Sequence, residues 1–184
     1  MRQLMVSLLM LMVLSAMAAE KTASEFHASD PVLITSAGQS SDVLMVKLLA
    51  ERAGIAYQFD KMAQPDMLKE VKTLILVAGG SSKGLGAARI DKEQELNRVK
   101  QLVARAEQDH IPIVAIHVGG KARRGKLSDY FSDYVARHAN LLIVVKEGDY
   151  DGFFSRIAQE KKIPIHLPDE LQDVQQELKQ VFQK

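Results

Sequence analysis

Apolar and polar positions alternate along this chain in blocks. Short runs rich in Val, Ile and Leu are followed by longer stretches in which apolar residues recur every three or four positions. Continuous apolar runs suit strands covered on both faces, and the intervening period suits the amphipathic helices that would cover them. The predicted strands are Val32–Thr35, Ala56–Phe59, Thr73–Ala78, Ile113–Val118 and Leu141–Val145, with Ile163–His166 as a short sixth. Leu96, Val99, Leu102, Val103 and Ala106 make one helical stripe, and Leu171, Val174, Leu178, Val181 and Phe182 make another. A first helix, expected over Ser41–Ala53 and ended by Gly54, is apolar around more of its surface. Its Val43, Leu44, Met45, Val46, Leu48 and Leu49 point to deep burial, with a homodimer contact as the alternative.

This alternation predicts one α/β domain over residues 31–184, a three-layer Rossmann-like or flavodoxin-like fold around a mostly parallel sheet of five or six strands. Right-handed crossovers, with one reversal after the second strand, give the order 2-1-3-4-5. The prolines agree with it. Pro31, Pro112 and Pro164 introduce strands, while Pro65 and Pro168 fall where short helices can start.

The N-terminus has a different pattern. Arg2 precedes an uncharged apolar run from Leu4 to Leu14, and Ala16-Met17-Ala18 supplies the small residues that signal peptidase accepts. Residues 1–18 are therefore expected to be a cleaved signal peptide and 19–30 a polar tether. The run is shorter than the ~20 residues that span a bilayer, so no stable membrane span is expected after cleavage. A periplasmic or secreted location follows. The chain has no cysteine, which excludes disulfides, a lipidated cysteine and thiolate metal sites. Its 24 cations and 23 carboxylates come to parity once Arg2 is removed, and no basic stretch suggests a nucleic-acid partner.

Three of the strands end in small, polar turns that a parallel sheet would gather on one edge, where main-chain N–H groups can face a ligand. In the first, Ser36, Gly38, Gln39 and Ser40 are candidate ligand contacts. Ser40 or Ser41 would also cap the first helix, Asp42 would complement its dipole, and the Gln39 amide would project toward the shared edge. In the second, Gly79, Gly80, Ser81, Ser82 and Lys83 combine exposed amides, hydroxyls and a mobile cation, a chemistry that suits an anion. Its Gly80-x-x-x-Gly84-x-Gly86 spacing resembles the dinucleotide turn of short-chain dehydrogenases. Here, however, it follows the third strand, and no Tyr-x-x-x-Lys pair lies downstream, so no cofactor is expected.

The third turn carries His117, Gly119 and Gly120, followed by a cationic stretch from Lys121 to Lys126 that includes Arg123. His117 is either a base or ligand contact at the edge or a hydrogen-bonded core residue. The stretch either draws an acidic ligand or is solvated. No histidine or carboxylate stands at metal-site spacing from His117, and no metal is expected. Signatures of hydrolases and metalloproteases are missing as well.

The segments Pro31–Ser40, Thr73–Gly80 with its Ser-Ser-Lys-Gly-Leu-Gly continuation, and Pro112–Gly120 together resemble a domain-of-unknown-function family of small exported bacterial proteins, over about residues 30–170. The resemblance implies a leader followed by a Rossmann-like domain, and it implies no activity. The leading expectation is an exported protein that binds a small anionic ligand at the glycine-lined edge. The alternatives are a hydrolase or transferase using His117 with Ser36, Ser81 or Lys83, and a module that binds a partner or a second copy through the first helix or through the helix carrying Tyr130, Phe131 and Tyr134.

Overall fold

Each predicted apolar run forms a strand, and the strands pair in parallel. The computed structural model describes residues 26–184, and the predicted leader lies outside them. The strands are β1 (Val32–Ala37), β2 (Tyr57–Phe59), β3 (Thr73–Ala78), β4 (Ile113–His117), β5 (Leu141–Val144) and β6 (Ile165–His166). They form a single sheet in the order β2-β1-β3-β4-β5-β6. The predicted order holds, and the short sixth strand adds to its far side. β1 runs two residues past its predicted end, because its register with β3 continues through Ser36↔Val77 to Ala37↔Ala78.

Among the described residues the helices are α1 (Asp42–Arg52), α2 (Ser82–Ala88), α3 (Lys92–Gln108), α4 (Lys126–His138), α5 (Phe153–Lys161) and α6 (Val174–Val181). Strand alternation divides the core between two faces. Leu33, Leu74, Leu76, Ala115 and Leu142 pack under α3, α4 and α5. Val32, Ile34, Ile75, Ile116 and Ile143 pack under α1 and α6.

Local signals set the helix ends. Asp91 caps α3 through the Gln94 main-chain N–H, and the Gln94 side chain accepts from the Asp91 N–H in return. Such a box contributes about 1 kcal/mol. Gly54, at φ +76°, follows α1 as expected. α1 is buried on one side only: Val43, Val46, Leu49 and Ala50 face the core, while Leu44, Met45 and Leu48 form an exposed outer strip.

Two further differences matter for the site. The buried stripe of α3 begins at Glu95, and Leu96 is only half-buried. The glycine-rich stretch after β3 winds into α2, capped by the Ser81 hydroxyl, which accepts from the Gly84 N–H at 3.0 Å. Residues 26–30, placed by the sequence in the tether, lie against the α1/α6 layer, with the Ala28 N–H donating to the Val181 carbonyl.

Candidate functional site

The three turns converge at the C-terminal edge of the sheet, but they do not share one open crevice. The first two are stitched together. Gln39 and Gly80 form an antiparallel bridge, the Ser40 N–H donates to the Gly79 carbonyl, and the Ser81 N–H donates to the Gly38 carbonyl. The Gly79 N–H donates to the Ala37 carbonyl, and the Gly80 N–H donates to the Ser128 hydroxyl on α4. The Gly38, Ser40, Gly79, Gly80 and Ser81 amides, expected to face a ligand, are thus bonded within the protein. Lys83 and Ser82 remain exposed, on the first turn of α2.

The Gln39 amide does not project outward. It turns under the edge, at φ +61°, and donates to Glu95 Oε1 at 3.0 Å and to the Lys61 carbonyl at 3.1 Å. Glu95 Oε1 also accepts the Gly38 N–H at 2.9 Å and an Arg98 N–H at 2.8 Å, while its Oε2 accepts from Arg98 Nε at 2.8 Å. Arg98 in turn donates to the Ala63 and Ser36 carbonyls. The network ties the start of α3 to the end of β1 and to the segment after β2. Its two charges are fully buried, with Glu95 at 0 % and Arg98 at 6 % exposure.

The opposite face of the edge is differently built. Asp42 opens α1, where a carboxylate suits the helix dipole, and its N–H donates to the Ser40 hydroxyl at 3.2 Å. The residue is 8 % exposed. Its Oδ1 lies 3.5 Å from Arg123 Nε, too far for a good hydrogen bond, and its buried Oδ2 has no hydrogen-bond partner. That oxygen lies over two glycines. A Cβ built on Gly119 would stand 2.7 Å from Oδ2 and within the Arg123 side chain, and one on Gly79 would stand 3.5 Å from Oδ2 and 3.4 Å from Ser40 Oγ. Only glycine at 119 lets the strand end approach this closely. Ser36 Oγ is a second buried atom without a partner, and β1 alternation puts it on the same sheet face as α1.

Arg123 comes from a short 3-10 turn, Lys121–Arg123, and its side chain is 44 % exposed. Its neighbour behaves otherwise. The expectation that the Lys121–Lys126 stretch is solvated fails at Arg124, whose side chain is 3 % exposed and binds Asp129, Asp151 and the Gly148 carbonyl. Burial disfavours that guanidinium's charge, yet the Asp129 and Asp151 hydrogen bonds outweigh it and raise its pKa. The same contact, chiefly through its hydrogen bond, holds Asp151 below the ordinary carboxylate value.

His117 is buried on the α3/α4/α5 side, its ring 5.3 Å from that of Phe154. Nδ1 lies 3.0 Å from the Ala78 carbonyl and Nε2 lies 3.3 Å from the Gly120 carbonyl. The Gly120 carbonyl also accepts the Arg123 N–H. The histidine therefore links the end of β3 to the turn that carries Arg123. Among the described residues no cluster of three metal-ligating side chains occurs, and no helix is long and apolar enough to cross a membrane.

A family model described as a domain of unknown function, DUF6305, matches residues 29–182, and the chain belongs to that family. No curated protein and no solved structure matched it.

Proposed function

We propose, on the premise that membership of this family carries no activity with it, that the chain is an exported α/β binding protein taking a small anionic ligand at the C-terminal edge of its sheet. The observation that carries this reading is Arg123. Its partly exposed side chain, whose stem lies against Gly119, is loosely held by a buried carboxylate, on a turn that Arg124 and His117 anchor from behind. A cation held in this way can turn to an incoming acid without unfolding its support. The ligand site is accordingly centred on Arg123, Gly119, Gly120 and Asp42, with Lys83 and Lys121 as outlying cations. The Gly38, Ser40, Gly79, Gly80 and Ser81 amides are already bonded and contribute shape rather than donors. A reaction centred on His117 draws less support, because both ring nitrogens face main-chain carbonyls in the interior.

Thermal shift across a panel of anionic metabolites tests the reading. A ligand at a hundred times its Kd stabilises by about 2.7 kcal/mol, and Arg123→Ala should abolish the shift. A flat response across a broad panel overturns it. Export is tested separately: N-terminal sequencing of protein recovered outside the cytoplasm should begin at Ala19.

A further inference from the structure

The geometry points to a ligand that carries a hydrogen-bond donor next to its acid, an α-amino or α-hydroxy acid, with Asp42 Oδ2 as the acceptor for that donor. The inference rests on the reading of this edge as an anion site, and it specifies what else the anion must bring. Among the described residues two acids are buried, Glu95 and Asp42. Both oxygens of Glu95 accept hydrogen bonds from neighbouring groups. Asp42 Oδ2 accepts none, although it is buried at the first turn of an eleven-residue helix and directed between Gly79 and Gly119.

A buried carboxylate oxygen without a donor is costly, and a bound N–H or O–H group removes that cost. A bare anion at Arg123 would instead place its charge against an unscreened carboxylate. The unpartnered Ser36 hydroxyl on the same sheet face is a second polar group that the fold leaves without a partner there. Arg123, the more exposed partner, meets Asp42 at Oδ1 through a 3.5 Å contact. In the proposed complex that exposed side chain turns away from the carboxylate, so the ligand's donor replaces the guanidinium against Asp42 while its acid takes up the guanidinium. Because the two protein groups are adjacent, the acid and the donor must sit on neighbouring atoms of the ligand.

Alanine, lactate and propionate share a carbon skeleton and a carboxylate and differ in the α-substituent. Titrating each into the 15N-labelled full chain, and following the amide resonances of Asp42, Gly79 and Gly119, tests the proposal. Alanine or lactate should bind at least about tenfold more tightly than propionate, the value of a hydrogen bond to a charged group. Asp42→Ala, which deletes the acceptor, should remove that preference, and Arg123→Ala should weaken all three. If the Asp42 variant does not fold, the wild-type comparison with the Arg123 variant decides. Equal binding of propionate, a preference that survives Asp42→Ala, or no shift with any of the three overturns the proposal. Equal binding leaves the anion reading standing, whereas that reading falls only with the wider panel.

Discussion

Two acid–base pairs sit at the same edge of the sheet, on opposite faces, and they are built for different ends. Glu95 and Arg98 are buried, in direct contact at 2.8 Å, and bonded to main-chain groups from two segments, the end of β1 and the stretch after β2. Asp42 and Arg123 touch at 3.5 Å, one partner is half in solvent, and one carboxylate oxygen lacks a donor. The first pair fixes the positions of the β1 turn and α3. The second leaves polar capacity unused on a rigid base. Hydrogen bonding that is complete belongs to architecture, and hydrogen bonding that is incomplete is where a ligand can add to the fold.

The difference predicts a graded set of effects. Glu95→Ala should cost about 3–5 kcal/mol in urea unfolding, because it leaves Arg98 buried without its counter-charge and the Gly38 N–H without an acceptor. Arg124→Met should cost roughly 1–3 kcal/mol and should also change the acid limb of stability. Asp151 has a depressed pKa when folded, so its contribution is present above its ordinary value of 3.8 and is lost as the pH falls through the lower folded value. Urea midpoints measured from pH 6 down to about pH 2 should therefore fall less steeply for Arg124→Met than for the wild type. Asp42→Asn should change stability by about 1 kcal/mol or less, with stabilisation the expected sign, since it removes a buried charge that lacks a donor. Arg123→Ala should change the stability measured by urea unfolding least, by about 0.5 kcal/mol or less, as expected of a loose surface contact. If Asp42→Asn proved as damaging as Glu95→Ala, the two pairs would be equivalent and the contrast would vanish.

The strands and their order were legible because continuous Val, Ile and Leu runs leave few alternatives to a parallel sheet, and the meeting of the three turns at one edge follows from that topology. The bonding between the turns was not. Gln39 reads as an outward amide until Glu95 is known to be beneath it, and that pairing spans most of the distance from β1 to α3. One signal was available: Glu95, Val99, Leu102 and Ala106 recur at helical spacing, so an acid stands in register with a buried stripe. α2 was hidden by its glycines, each of which costs a helix up to about 1 kcal/mol. Tertiary contact explains Gly84, where a Cβ would collide with the Gln39 carbonyl. Asp42 reads as a dipole partner from sequence, and so it is. That one of its oxygens goes unpaired depends on where Gly79 and Gly119 bring their backbones, which no local pattern encodes.

The outermost strands have a consequence of their own. β2 contributes three residues and β6 only two. Each margin of the sheet thus presents a row of free amide and carbonyl groups too brief for a foreign strand to template upon. Brief outer strands are one of the ways in which a sheet discourages pairing with another chain.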